Sequence, residues 1–166
     1  MPFSPLAVAN TFIEGYGREC GGISHMKLQK LVFYTYGWWL AFNDEPLTTE
    51  GPQVWRYGPV FNSLYGALAS FGMKPIESPR RAIPFQPTPI IPEERGEALD
   101  LIDWVWGQYG GYSAGQLSDM THAPGTPWQQ EAAAHDYRVP RNYPISDARI
   151  KTYFQNEAAR LNGDAA

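Results

Sequence analysis

The chain has 166 residues and a net charge of −4, and 43% of its residues are hydrophobic, 14% aromatic and 18% charged. This composition is typical of a folded globular protein with one core and excludes a mainly disordered chain. No basic run exceeds the pair Arg80-Arg81, which argues against a nucleic-acid partner, and the single cysteine, Cys20, excludes an internal disulfide and favours a cytoplasmic protein.

The first predicted element is a short amphipathic helix near the N-terminus. Ser4 followed by Pro5 is typical of a helix start, and the helix is expected to end at Gly15 or Gly17. No basic segment is followed by a long apolar run, so we expect no secretion signal. No apolar run is long enough to cross a membrane.

The longest predicted helix begins after Ser24 and ends near Asn43-Asp44, before Pro46. It is apolar or aromatic on most sides, which predicts a helix at the centre of the domain. At about 100° per residue, one stripe differs from the rest. The stripe consists of Lys27, Lys30, Tyr34, Gly37 and Ala41. It is interpreted either as a solvated seam or as a surface that faces a partner or a pocket, with Gly37 and Ala41 able to admit another backbone.

Residues 53–57 alternate in the manner of a short strand, which Gly58-Pro59 is expected to end. Trp55 is expected to pack on the central helix. Arg56 falls on the other face of the strand, and both Arg56 and Tyr57 remain candidates for contact with a partner.

Two amphipathic helices flank a proline-rich connection. The first is predicted over residues 60–71 and the second over residues 93–109. Six prolines between residues 74 and 92 exclude a helix there and leave room for a short edge strand near residues 82–85. Trp104 flanks the polar face of the second helix, so it is either covered by a neighbour or available as a binding hot spot.

Three further helices are predicted towards the C-terminus. Ser113 and Ser146 are typical N-cap residues, and Trp128 opens a short helix between them. The pattern as a whole predicts a mainly α-helical protein with a buried, aromatic-rich central helix and a small β element. We expect a single compact domain over residues 1–162 and a frayed tail over residues 163–166.

No set of residues has the spacing of a metal, cofactor or catalytic site, so we expect no metal, no cofactor and no enzymatic activity. His122 is expected to pin a turn, and Trp128 is expected to fill the core with its indole N–H bonded to a carbonyl. The enzymatic alternative is a pocket that gathers Lys30, Tyr57 and His122 from separate segments.

Several short motifs follow one another along nearly the whole chain. They include Ile23-Ser24-x-Met26-Lys27-Leu28-Gln29-Lys30-Leu31, Trp55-Arg56-Tyr57-Gly58-Pro59-Val60, Tyr109-Gly110-x-Tyr112-Ser113-Ala114-x-x-Leu117-Ser118-x-x-Thr121-His122 and Pro127-Trp128. This ordered set resembles the signature of the Panacea antitoxin domain of SocA-like antitoxins. The resemblance implies a helical antitoxin that neutralises a cognate toxin protein. Antitoxins of this family are often encoded near toxins, which are unrelated to one another, and on prophages.

The candidate partner-binding residues combine the central stripe, the residues after the strand and the flanking tryptophan. They are Lys27, Lys30, Tyr34, Arg56, Tyr57 and Trp104. Direct masking of a toxin by aromatic anchors is the leading hypothesis, and delivery of the toxin to a protease is left open. The alternative function is a protein of a phage or mobile element that acts on a host factor through the same surfaces.

Overall fold

Seven α-helices and a two-stranded antiparallel sheet are present in residues 1–163, which are the residues described by the computed structural model. The helices are α1 (Pro5–Phe12), α2 (His25–Asn43), α3 (Asn62–Leu68), α4 (Gly96–Tyr109), α5 (Ala114–His122), α6 (Pro127–Ala134) and α7 (Asp147–Leu161). The strands are β1 (Gln53–Trp55) and β2 (Gly58–Val60). The predicted mainly α-helical class is confirmed. Of the predicted frayed tail, residues 164–166 lie outside the described residues.

Helix α2 occupies the centre of the protein, as its apolar circumference predicts. The Ser24 hydroxyl accepts a hydrogen bond from the Lys27 amide at its start, and Asp44 ends it in a left-handed conformation. Helices α1, α3, α4, α5 and α7 and strand β2 all contact it. Each large apolar side chain buried along α2 contributes about 1.5–3 kcal/mol, which outweighs the weak helix propensity of its aromatic residues.

The expectation that the stripe on α2 provides access to solvent is wrong at its centre. Lys30 is 1% exposed because β2 and α5 cover it, and Tyr34 is 5% exposed because α4 and α7 cover it. Gly37 admits the ring of Phe154 from α7, rather than another backbone. The most exposed large apolar side chains of α2 lie near its two ends, at Met26 and Phe42.

The β element is a hairpin rather than a single strand. Gln53 pairs with Val60 and Trp55 pairs with Gly58, so the residues that were expected to end the strand form its antiparallel partner. Gly58 has a φ of 114°, which lets the chain reverse direction. In a two-stranded sheet every strand is an edge, so Pro59 is tolerated although it has no N–H to donate.

The proline-rich connection over residues 74–92 is irregular, and the predicted edge strand near residues 82–85 is absent from it. The side chain of Asn10, buried in α1, holds this segment instead. Its amide nitrogen donates to the carbonyl oxygens of Arg80 and Pro89, both at 2.8 Å, and its oxygen accepts from the Arg80 amide. These bonds satisfy backbone groups that a strand partner would otherwise pair.

Candidate functional site

A cavity of about 610 Å³ opens between the N-terminal end of α2, the β1–β2 hairpin and the end of α3, and we call it the hairpin cavity. Helix α2 contributes His25, Gln29 and Lys30 to its lining, and the hairpin contributes Arg56 and Tyr57. A volume of this size is within the range of ligand-binding clefts. It brings three of the sequence-predicted candidates, Lys30, Arg56 and Tyr57, to one place.

The rim of the hairpin cavity exposes large apolar side chains. Tyr57 is 55% exposed and Met73, which follows α3, is 95% exposed. Met26 and Tyr65 are partly exposed beside them. Grouped apolar side chains of this kind are typical of surfaces that another protein covers, and aromatic residues and methionine are enriched there.

Two polar side chains on α2 fix one wall of the cavity to the chain that follows the hairpin. The Gln29 side-chain oxygen accepts from the Phe61 amide at 2.8 Å, and its nitrogen donates to His25 Nε2 at 3.0 Å. His25 therefore accepts as a neutral imidazole. Burial, together with the charge of Lys30, lowers the pKa of His25 to about 4. The pair keeps a buried amide satisfied and holds His25 uncharged at neutral pH.

Lys30 lies in the wall of the hairpin cavity. Its Nζ donates to the carbonyl oxygen of Pro59 at 3.2 Å, and burial lowers the pKa of the amine to about 7. A Cβ at Gly58 would stand 2.7 Å from both Lys30 Cε and Thr121 Oγ1, so this position requires glycine for space as well as for its φ.

The hairpin turn is fixed by side chains from three helices, which donate to four of its carbonyl oxygens. The donor–acceptor pairs are Trp128 Nε1 to Trp55 (2.8 Å), His122 Nε2 to Arg56 (3.1 Å), Ser118 Oγ to Tyr57 (2.7 Å) and Lys30 Nζ to Pro59 (3.2 Å). The expected indole–carbonyl bond of Trp128 and the expected role of His122 at a turn are confirmed. Because these carbonyl oxygens are hydrogen-bonded, the turn presents the side chains of Arg56 and Tyr57 on a fixed backbone. Arg56 Cζ lies 5.4 Å from the centroid of the Tyr57 ring, in a cation–π contact.

A second apolar surface lies at the other end of α2. Trp104, 38% exposed on α4, contacts the ring of Trp38 edge-on at 5.0 Å, and the exposed Phe42 stacks on the same ring at 5.9 Å. We call the surface formed by Phe42, Trp104 and Leu161 the aromatic patch. At 1.5 Å per residue, the ends of α2 at Met26 and Phe42 are about 24 Å apart, so the two surfaces are well separated.

The remaining sequence candidates on α2, the buried Tyr34 and the partly buried Lys27, make contacts within the protein. Tyr34 stacks on Tyr109 with ring centroids 4.0 Å apart, and burial raises its pKa above the ordinary range. The Lys27 Nζ donates to the carbonyl oxygen of Gly110 at 2.6 Å and lies 5.2 Å from the ring of Trp106. Neither residue lines the hairpin cavity.

Among the cavity residues that sequence reasoning missed as candidates are His25, Gln29, Tyr65 and Met73. Part of the signal was present, since His25 and Gln29 are four residues apart on a helix and therefore adjacent. Tyr65 and Met73 carry no local signal, because only the packing of α3 against the hairpin brings them to the rim.

Of the three residues that the enzymatic alternative requires in one pocket, the structure brings two together. Lys30 and Tyr57 line the hairpin cavity, whereas His122 does not, and its ring packs against Trp128 with centroids 3.9 Å apart. Within residues 1–163, no group of three or more His, Cys, Asp or Glu side chains could hold a metal ion. No helix in this part of the chain is long and apolar enough to cross a membrane.

Comparison with known proteins agrees with the motifs. The family model of the SocA-like antitoxin, Panacea domain, matches residues 28–129, which include the hairpin and most of the hairpin cavity. The chain is 29% identical over 154 residues to Antitoxin SocA of Caulobacter vibrioides, and the match covers 90% of this chain and 81% of that protein. No solved structure is significantly similar. The chain belongs to the SocA-like antitoxin family and carries its Panacea domain.

Proposed function

We propose that this protein is the antitoxin of a toxin–antitoxin pair and that it neutralises its cognate toxin by binding it directly. Its family membership and its similarity to Antitoxin SocA support this function. The structural observation that carries the proposal is the hairpin cavity, an apolar opening with exposed tyrosine and methionine side chains on its rim.

The toxin-binding surface proposed here centres on Arg56 and Tyr57 at the rim and Lys30 in the wall. Tyrosine and arginine are the residue types that most often dominate the binding energy of a protein interface. The fixed carbonyls of the turn favour tight binding, because little backbone entropy is lost when the toxin docks.

Masking of the toxin requires no catalytic step, so we propose that the antitoxin acts without enzymatic activity. The partner is a protein, in line with a net charge of −4 and the lack of a long basic run. Cys20 is an exposed free thiol, which supports a place in the reducing cytoplasm.

Co-expression with the product of the adjacent gene tests this function. We expect growth to be rescued and the two proteins to purify as a stable complex. A neighbouring gene product that is harmless and never binds contradicts the proposal. In that case, capture of a host protein from lysate supports the alternative of a mobile-element protein that acts on a host factor.

The toxin affinities of two matched variants test whether the hairpin cavity is the binding surface. Tyr57→Ala is expected to weaken the complex by about tenfold to a hundredfold, which is the range of an interface hot spot. Tyr137→Ala is the control, since Tyr137 is a similarly exposed tyrosine that does not line the cavity. Equal affinities for the two variants, measured by calorimetry, contradict this placement.

We also infer that residues 1–162 act as one domain. The contacts of α2 with five other helices and with β2 support this inference, since they leave few elements free to fold alone. A single thermal transition, identical by far-UV circular dichroism and by tryptophan fluorescence, is expected. Two separated transitions contradict it.

A further inference from the structure

The hairpin cavity contains a buried cation without an acidic partner. Lys30 is 1% exposed, and an ammonium group has three donors, of which one is used by the Pro59 carbonyl. Buried lysines are usually paired with a carboxylate, because an unpaired charge is costly to remove from water. Lys30 takes part in none of the ion pairs within residues 1–163, and no Asp or Glu of this segment lines the cavity.

The other charges around the cavity have the same sign. Arg56 stands at the rim. The N-cap Ser24 and the first residues of α2, His25 and Met26, place the positive end of the helix dipole beside the opening. The first turn of α2 has no acidic residue to neutralise that end. The cavity is therefore a locally positive site on a chain whose net charge is −4.

Most of the remaining lining of the cavity is apolar. Trp55 and Val60 of the hairpin, Tyr65 of α3 and the flexible Met26 and Met73 surround the opening. Such walls favour a large apolar group, and methionine side chains adapt to its shape. Charge and polarity together specify an occupant that combines an apolar body with a carboxylate.

We propose that the hairpin cavity receives a segment of the toxin in which a large apolar side chain fills the opening and a neighbouring carboxylate pairs with the Lys30 ammonium. This assignment rests on the toxin-binding function proposed above and names the chemistry of the contact. The carboxylate is an acidic side chain of the toxin or the carboxylate at its C-terminus. Lys30 is the residue that recognises it, and Tyr57 covers the apolar group.

The pairing makes toxin binding depend on pH. Burial lowers the pKa of Lys30 to about 7 in the free protein, and a carboxylate at hydrogen-bond distance raises it again. The titratable groups that line the cavity are His25 on α2, Arg56 and Tyr57 on the hairpin and Tyr65 on α3, and none of them is acidic at neutral pH. Helix α5, which packs against Lys30 from the other side, carries His122, bonded to the Arg56 carbonyl, and the exposed Asp119, which does not line the cavity. Binding above pH 7 therefore takes up a proton, and affinity falls as pH rises from 7 to 9.

Calorimetry with the toxin supplies the first test. Lys30→Met keeps most of the length of the side chain without its charge and is expected to weaken toxin binding by at least about tenfold at pH 7, with no remaining fall between pH 7 and 9. Lys151→Met removes a lysine of α7 that does not line the cavity, and it is the control. An affinity unchanged by Lys30→Met overturns the proposal.

A second test needs no toxin. N-acetyl-tryptophan carries an aromatic side chain and a free carboxylate, and N-acetyl-tryptophanamide is its neutral counterpart. We expect the carboxylate probe to bind the wild type about tenfold more tightly than the amide, and Lys30→Met to abolish the difference. Equal binding of the two probes, or no binding of the carboxylate up to about 10 mM, overturns the proposal.

The two tests separate the failure of the site from the failure of the function. A toxin that is neutralised equally well by the wild type and by Lys30→Met overturns the carboxylate site and leaves the antitoxin function standing. Discrimination between the probes without any toxin binding supports the cavity chemistry and contradicts the function. Discrimination between the probes with an unchanged toxin affinity overturns the toxin segment as the occupant.

Discussion

The ring of Phe154 on α7 lies directly against the backbone of Gly37 on α2, in the space that a side chain would fill at any other residue. The same ring contacts Trp38 edge-on at 5.2 Å and Phe33 at 5.9 Å. Gly37 therefore sets how closely the last helix approaches the central one. It is not the solvent-facing position that the stripe on α2 suggests.

Gly37→Ala is expected to lower the free energy of unfolding by about 3 kcal/mol, because a Cβ at this position overlaps the Phe154 ring and the core has to move. Gly66→Ala is the matched control. Gly66 is also helical, in α3, but has open space around it, so the alanine is expected to stabilise the protein by about 0.5 kcal/mol. Urea denaturation measures both changes, and similar values for the two variants contradict this account.

The stability of the protein is expected to rise with pH above 7 because of Lys30. In the unfolded chain its amine keeps a proton up to its ordinary pKa of 10.5, whereas in the folded protein burial lowers that pKa to about 7. Between these values the unfolded state binds more protons, so the free energy of unfolding increases by up to about 1.4 kcal/mol per pH unit.

Urea denaturation at pH 7, 8 and 9 checks this slope, because unfolded tyrosines, with an ordinary pKa of 10.0, keep most of their protons in this range. Lys30→Met removes the titrating group and is expected to give nearly constant stability over the same interval. A wild type whose stability stays flat from pH 7 to 9 contradicts the assignment of the buried amine.

The lowered pKa of His25 is expected to reduce the stability of the protein in weak acid. Burial and the neighbouring charge of Lys30 lower its folded-state pKa from 6.5 to about 4, so between pH 6.5 and 4 the unfolded chain binds the extra proton. The free energy of unfolding consequently falls as pH falls through this window. His25→Gln has no such proton to bind, and its stability is expected to decline less over the same range. Equal declines, measured by thermal unfolding at pH 6.5, 5.5 and 4.5, count against this role.

Trp104→Ala is expected to weaken toxin binding without unfolding the protein, since the indole is partly exposed and meets Trp38 through an edge contact. The loss of that contact costs about 1 kcal/mol of stability. A toxin that reaches both the hairpin cavity and the aromatic patch spans about 24 Å, which an interface of standard size can cover. Calorimetry that shows full affinity for Trp104→Ala, together with reduced affinity for Tyr57→Ala, restricts the toxin to the hairpin end of α2.

Local signals in the sequence were sufficient for the helical framework. Ser24, Ser113 and Ser146 cap the helices as predicted. Each hydroxyl accepts a hydrogen bond from the backbone amide three residues later. The span of α2 followed from its cap, its apolar circumference and the stop at Asp44. These features are encoded within a few residues of where they act, so periodicity and capping chemistry identify them.

The hairpin and the burial of the stripe on α2 could not be predicted from local sequence signals. A proline after Gly58 signals the end of a strand, and only the antiparallel pairing with β1 shows that the chain returns as β2. The burial of Lys30 likewise depends on α5 and the hairpin, which are distant in sequence. The site is built from long-range contacts, and these leave little trace in local patterns.

The hairpin stabilises the fold through its carbonyl groups and meets the solvent through the side chains of Arg56 and Tyr57. A substitution at residue 56 or 57 leaves the carbonyl acceptors in place, because every amino acid supplies the same backbone oxygen. Evolution can thus alter what these two positions recognise without disturbing the hydrogen bonds that hold the turn in place.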